Sequence, residues 1–334
     1  MAIPYRNDGS DGSDGSDGSD GSDGSDGSDG SAGSLSGVRA YSGQRTSPML
    51  ARALLSTFGE LTRGRVPITT GPKADTVPED QRFARWSRDV RGHQYLFELV
   101  AGLELDRTTT VHGPVRLRRR GAPAGSPPVA EVAFPDYETS DTKLLAALNG
   151  VLAEAALRPD RMDEILAQVT LPYAFYAALL NLQPGRHRYT FELLAAVWRF
   201  STVVVMQFKH AFGIRRPADR SPLIQPVLLT PGHGSYPAGH ATQAHLATAV
   251  LKALTAHLPD PVRDDQLLAL AKRIGQNRVV AGLHYEHDID KGAELGEKLA
   301  AYFVAQAVPP DPPPAAADFT ALQWLWTAAL AEHG

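Results

Sequence analysis

Helical spacing of apolar residues runs through most of the sequence after Asp141 and constrains the fold more than any other feature. In the segment 189–212, apolar side chains recur every three or four positions, for example at Leu194, Val197 and Phe200. This spacing predicts one long helix with a continuous apolar face. Segments of the same kind follow almost to the end of the chain, so we expect a mainly α fold built as a helical bundle.

A different pattern occurs near residues 104–134. Here β-branched residues are frequent, and Val115 and Leu117 alternate with arginines. Alternation with a period of two predicts strands, so we expect a small β excursion beside the bundle. We place both patterns in one helical domain that covers residues 46–334.

An Asp-Gly-Ser repeat runs from Asp8 to Ser31. These residue types bury too little apolar surface to offset the entropy of ordering, so we predict a disordered leader over residues 1–45. Eight of the 37 acidic residues lie in this repeat, and removing their charges changes the formal net charge from -4 to +4. The remaining chain is mildly basic, which suits a small anion but is far from the strong basic bias of a nucleic-acid-binding protein.

The sequence predicts a soluble, cytoplasmic protein. No apolar segment of signal-peptide type follows Met1, and the longest uncharged helix-like run, 168–185, is interrupted by Pro172, Asn181 and Pro184. Its apolar centre is shorter than the roughly 20 residues that cross a bilayer. With no cysteine in the chain, disulfides, thiolate metal sites and cysteine nucleophiles are excluded.

The stretch from His233 to His240 reads His-Gly-Ser-Tyr-Pro-Ala-Gly-His and ends where a helix is predicted to begin. The first N–H groups of a helix are unpaired and carry partial positive charge, so an anion beside His240 would meet both amides and an imidazole. Lys209 and Arg216, around the end of the preceding long helix, can point to the same place. This arrangement suits a tetrahedral oxyanion.

A third group of residues follows further along the chain. His284 and Asp288 are four positions apart, which on a helical turn lets the carboxylate accept from one imidazole nitrogen and leave the other free. Arg278 adds a further cation six positions before His284. We therefore predict an acid–base and nucleophilic site between residues 205 and 290.

Together these blocks resemble the signature shared by type 2 phosphatidic acid phosphatases, bacterial class A acid phosphatases and vanadium-dependent haloperoxidases. The resemblance covers about residues 205–290 directly and extends to the helical character on both sides. The matching residues are Lys209-x6-Arg216-Pro217, Pro237-Ala238-Gly239-His240 and Arg278-x5-His284-x3-Asp288.

The resemblance implies a role for each residue. His284 would be the apical partner, as the vanadium ligand of a peroxidase or as the nucleophile that forms a phosphohistidine in a phosphatase. Asp288 would orient it, and His240 would be the acid–base. The implied cofactor is vanadate, and phosphate or sulfate could occupy the same place. The residues implied to hold the oxyanion are Lys209, Arg216, Ala238, Gly239 and Arg278.

Two positions depart from the shared signature. Ala238 stands where the family normally has serine, so one hydroxyl donor to the anion is missing. Asn277 stands where the third block usually has serine before its arginine. Losing one donor to a charged group costs about 1.5–3 kcal/mol, which weakens an anion site without abolishing it.

The surroundings of the second block resemble the bromoperoxidase-like branch, which has a histidine at the position of His233. On this basis the first hypothesis is a vanadate-dependent haloperoxidase that oxidises bromide or iodide with hydrogen peroxide and halogenates a small organic acceptor. The alternatives are a soluble acid phosphatase that acts through a phosphohistidine, and a non-catalytic phosphate-binding homologue. No nucleic acid or membrane partner is expected, and a homo-oligomer stays open.

Overall fold

A computed structural model describes residues 83–107, 112–312 and 320–334, together with six helical residues between 49 and 57. The leader predicted over residues 1–45 lies outside the described residues. The placement of residues 46–334 in one domain stays a prediction.

The described residues confirm the prediction of a mainly helical protein. Most helices begin and end within a few residues of the positions that the apolar spacing predicts. Ser140, rather than Asp141, caps the first helix after the strands, because its side chain accepts from the Lys143 amide. The α-helices are α1 (Arg88–Ala101), α2 (Asp141–Glu154), α3 (Arg158–Ala167), α4 (Tyr173–Leu180), α5 (Arg188–Phe212), α6 (Pro217–Arg220), α7 (Gly239–Leu254), α8 (Pro261–Val280), α9 (Glu286–Ala307) and α10 (Ala321–Leu330).

The predicted β excursion is an antiparallel sheet of three strands in the order β1-β2-β3. On β2, Val115 and Leu117 are buried, whereas the arginines between and after them lie on the other face. Arg116 pairs with Glu131 on the neighbouring strand at 2.7 Å, as expected for a solvated strand face. The strands are β1 (Leu103–Arg107), β2 (Val115–Arg119) and β3 (Ala130–Val132).

Helix α5 supplies much of the apolar core. Phe200 and Phe208 are fully buried, and the helix packs against α7, α10 and α1. The segment Arg188–Arg220 is also long and apolar enough to cross a membrane by length and composition alone, although 61% of its most apolar window is buried inside the protein. The sequence prediction had considered only residues 168–185 for this role.

Helices α7 and α9 approach each other closely because glycines lie at their contact. A Cβ on Gly292 would lie 2.5 Å from the Ala238 carbonyl oxygen, and one on Gly296 would lie 2.5 Å from that of Thr242. Neither position has room for a larger residue. This contact places the first turn of α9 directly against the start of α7, where the Ala238 amide donates to the Asp288 carbonyl at 2.9 Å.

Candidate active site

The predicted pair of His284 and Asp288 forms at the start of α9. The distance between His284 Nδ1 and Asp288 Oδ2 is 3.1 Å, and both residues are buried. The carboxylate accepts from Nδ1–H, which fixes the tautomer and leaves Nε2 with a free lone pair. That lone pair can act as a nucleophile.

Three further donors hold the Asp288 carboxylate. Tyr137 donates from its hydroxyl to Oδ1 at 2.7 Å, and the Ser235 hydroxyl donates to Oδ2 at 2.5 Å. The backbone amide of Tyr285 donates to Oδ2 at 3.2 Å. Burial raises the pKa of Asp288, and the bonds from Ser235 and Tyr137 oppose that rise.

Sequence reasoning missed Tyr137 and Ser235. Tyr137 follows the β excursion, in a short 3-10 helix, Asp136–Thr139, and no spacing connects it to a carboxylate 151 positions away. Ser235 lies inside the stretch between His233 and His240, so its proximity to the site could have been anticipated, although its partner could not.

Lys209 and Arg216 support the loop that leads into α7. Lys209 Nζ donates to the carbonyl oxygens of Gly234 and Ser235 at 2.8 and 2.7 Å. Arg216 Nε donates to the His233 carbonyl at 3.0 Å, and its Nη1 lies 3.3 Å from His284 Nε2. Arg216 therefore contacts Nε2 of the dyad, and the Lys209 charge is near enough to lower the pKa of His284.

Arg278, in the last turn of α8, is the third cation and is 1% exposed. Its Nη2 donates to the Ile165 carbonyl at 3.0 Å, whereas its Nε is buried without a hydrogen-bond partner. In the described part of the chain, Lys209, Arg216 and Arg278 form no ion pair with a carboxylate within 4.0 Å. Buried cations without a direct carboxylate partner, one with an orphaned donor, fit a tetrahedral oxyanion.

Burial makes the charged forms of these three side chains less favourable. It lowers the pKa of Arg216 and of Arg278 to about 10. It lowers the pKa of Lys209 well below its ordinary value, and the neighbouring Arg216 lowers it further. Holding these groups together without an anion is therefore unfavourable, and an anion would relieve the cost.

Gly239 and His240 open helix α7. The first backbone bond of the helix runs from the Thr242 amide to the Ala238 carbonyl at 3.1 Å, so the amides of Gly239 and His240 precede the helical ladder. A Cβ on Gly239 would meet only Val205, at 3.9 Å. Packing within the protein therefore does not require glycine there, whereas a ligand resting on the backbone would.

The His240 ring lies beside the segment that follows α3. Its Nε2 is 3.4 Å from the Val169 carbonyl oxygen, and its ring meets Trp198 edge-on. Burial lowers the pKa of His240 to about 3, and Arg278 adds to that shift. His240 also lowers the pKa of His284, after burial, Arg216 and Lys209, so both imidazoles are neutral near pH 7.

His233 lies next to Arg216, with 3.1 Å between its Nδ1 and Arg216 Nη2. Burial lowers the pKa of His233 to about 4 and the Lys209 charge adds to the shift. The ring therefore accepts from the arginine. Its predicted part in halide oxidation stays a prediction.

The structure brings some residues of the three sequence blocks into direct contact and places others against a different segment. His284, Asp288, Arg216 and His233 are linked by direct hydrogen-bonding distances, and His240 and Arg278 contact the 165–169 segment instead. Ala238 is fully buried and makes no side-chain capping bond, so its methyl group offers the anion no donor.

Comparisons with known proteins give matches among solved structures only. No family model matches the chain, and no curated protein matches it. A similar solved structure is that of the first transmembrane PAP2 type phosphatidylglycerolphosphate phosphatase from Bacillus subtilis, at 20% identity and a TM-score of 0.38. The match covers 49% of this chain and 85% of the other.

The sequence interpretation of a soluble, vanadium-dependent oxidoreductase is corrected here. The apolar segment Arg188–Arg220 meets the length and composition of a membrane-crossing helix. The prediction of a soluble protein rested on the absence of such a segment, so it no longer holds. The bromoperoxidase branch and the cytoplasmic location gain no support.

Proposed function

We propose that the protein is a phosphatase that hydrolyses a phosphate monoester through a phosphohistidine on His284. The observation that carries this proposal is the buried dyad of His284 and Asp288, whose Nε2 lies 3.3 Å from Nη1 of Arg216, a buried cation without a carboxylate within 4.0 Å. Phosphoryl transfer needs an in-line nucleophile and stabilised charge on the phosphoryl oxygens. The pocket offers both.

In the first step, His284 Nε2 attacks phosphorus, the N–P bond forms and the bond to the ester oxygen breaks. The leaving alkoxide takes a proton from His240. His240 is neutral in the free protein because burial, Arg278 and Lys209 lower its pKa. A phosphate dianion in the pocket opposes these positive charges, so substrate binding favours the protonated form that the step requires.

In the second step, His240 accepts a proton from water as the water oxygen attacks phosphorus. The N–P bond breaks, and inorganic phosphate and neutral His284 are released. Asp288 stays ionised in both steps and stabilises the positive charge on the phosphorylated imidazole. Lys209, Arg216, Arg278 and the Gly239 amide bind the phosphoryl oxygens throughout.

The test is hydrolysis of p-nitrophenyl phosphate by the full chain, combined with trapping of the intermediate. We expect radiolabelled substrate to leave a label on His284 that is stable to alkali and lost in acid. His284→Ala should abolish hydrolysis and label, and His240→Ala should slow turnover by 10²-fold or more, the typical contribution of a general acid–base. His287→Ala is the matched control, because this ring stacks on Tyr236 outside the dyad.

Two results would contradict the proposal. One is wild-type hydrolysis by His284→Ala. The other is peroxide-dependent bromination after addition of vanadate, with no hydrolysis of p-nitrophenyl phosphate.

A further inference from the structure

Three buried side-chain atoms of the described residues lack a hydrogen-bond partner: Arg278 Nε, Gln168 Nε2 and Tyr285 OH. Tyr285 packs on Tyr137, with 4.5 Å between the ring centroids. Gln168 is 0% exposed, and an unpaired buried amide costs free energy unless something accepts from it. The first two atoms belong to residues that are close in the fold, because Arg278 donates to the Ile165 carbonyl three positions before Gln168.

The orientation of the Gln168 amide is fixed by Asn277. Arg161 Nη1 donates to Asn277 Oδ1 at 3.3 Å, so Asn277 presents its Nδ2 as a donor. That Nδ2 donates to Gln168 Oε1 at 2.8 Å. If the Gln168 amide were rotated by 180°, its NH₂ group would face the NH₂ group of Asn277. The bond from Asn277 therefore keeps Gln168 Nε2 pointing away from Asn277.

The backbone around Gln168 lies along the pocket. Two residues that the proposed mechanism uses are bound to this segment, because Arg278 donates to the Ile165 carbonyl and His240 reaches the carbonyls of Gln168 and Val169. The segment that carries Gln168 therefore contacts both the Arg278 cation and the acid–base residue.

We infer that Gln168 Nε2 is a further donor to the phosphoryl group, and that Asn277 is the residue that positions it. This inference rests on the proposed function and adds a binding residue to it. It also connects the two departures from the family signature. Ala238 lacks the usual hydroxyl donor, while Asn277, in place of the usual serine, orients an amide that supplies a donor from another part of the chain.

The experiment compares wild type, Gln168→Leu and Gln168→Met, with Gln276→Leu as the control. Gln276 lies on the same helix as Asn277 and donates outward to Glu154 at 2.9 Å. Binding of inorganic phosphate to the full chain is measured by calorimetry, so the readout does not depend on turnover. We expect both Gln168 variants to bind phosphate about 10- to 100-fold more weakly, as for loss of one bond to a charged group.

A second variant tests the orienting relay. Asn277→Leu removes the donor that fixes the Gln168 amide, together with the bond from Asn277 Nδ2 to Glu164 at 2.9 Å, so phosphate affinity should fall while thermal unfolding still shows a cooperative transition. The Gln276→Leu control should bind phosphate as wild type does.

The outcomes separate this inference from the proposed function. If Gln168→Leu and Gln168→Met bind phosphate with an affinity within twofold of that of wild type, the inferred role of Gln168 is wrong, even if wild type hydrolyses esters. A wild-type protein that binds phosphate but hydrolyses no ester would overturn the proposed function, and weaker binding by the Gln168 variants would still support the added donor.

Discussion

The hydroxyl of Tyr137 donates to Asp288 Oδ1 at 2.7 Å, across 151 positions of sequence. Tyr137 comes from the short helix after the three-stranded sheet, and Asp288 comes from the first turn of α9. The segment that follows the sheet therefore contacts the site, although no sequence block of the resemblance lies there. Through Asp288, Tyr137 affects the imidazole of His284.

We predict that Tyr137→Phe lowers kcat about 10-fold or more with a smaller change in KM. The bond goes to a charged group, and such bonds contribute about 1.5–3 kcal/mol. Loss of the donor raises the pKa of Asp288 further, so the acidic limb of the kcat profile should move to higher pH. Steady-state rates of p-nitrophenyl phosphate hydrolysis across pH measure both effects.

Tyr95→Phe is the matched control for that variant. Tyr95 is also fully buried and donates to a carboxylate, Glu192, at 2.7 Å, in a network outside the site. We expect it to lower stability by a similar amount and to leave the pH profile unchanged. Equal shifts in both variants would show that Tyr137 acts only on stability.

We predict opposite outcomes for two glycine substitutions. Gly239→Ala should fold normally, because a Cβ there meets only Val205 at 3.9 Å, but its methyl group should weaken phosphate binding beside the first amides of α7. Gly292→Ala should lose about 1–3 kcal/mol of stability or more, because its Cβ meets a backbone carbonyl. Chemical denaturation and phosphate calorimetry distinguish them. Unchanged phosphate affinity in Gly239→Ala would remove the amide from the proposed pocket.

Anion binding should be accompanied by proton uptake. Burial with nearby cations lowers the pKa of His240 to about 3 and that of Lys209 well below its ordinary value, and a bound dianion favours the charged forms. Sulfate is the suitable probe, because it does not itself titrate near pH 7. Calorimetry in two buffers of different ionisation enthalpy gives the number of protons, which should fall in His240→Gln and not in His287→Gln.

Stability should fall as the solution is acidified below about pH 6.5. In the folded state His240 and His233 have pKa values lowered to about 3 and about 4, whereas in the unfolded chain both take up protons near pH 6.5. The unfolded state therefore binds more protons between those limits, and the free energy of unfolding decreases by up to about 1.4 kcal/mol per pH unit for each histidine.

Urea denaturation at pH 7, 6 and 5 measures this loss of stability. The double variant His233→Asn/His240→Asn should show a shallower decline than wild type. A decline of the same slope would mean that other groups cause it.

The sequence predicted the helices and the pairing of His284 with Asp288 because both depend on short-range spacing. A run such as Leu194, Val197 and Phe200 determines a helix face locally, and His284 and Asp288 are one turn apart. Tyr137 and Gln168 could not be found in this way, because each joins the site only through tertiary contacts with α9 or α8. The sequence did not predict a membrane-crossing helix at Arg188–Arg220, because this segment contains charged residues and the prediction considered only uncharged runs.

The close contact of α7 and α9 at Gly292 and Gly296 has a consequence for how the pocket comes into being. The acid–base residue lies on one of these helices and the residue that orients the nucleophile lies on the other, so the two reach their working separation only when the helices have docked. Phosphate should therefore bind tightly only when the two helices are docked. Phosphate added during refolding should slow the separation of the docked helices and should not change the rate of the collapse that precedes docking.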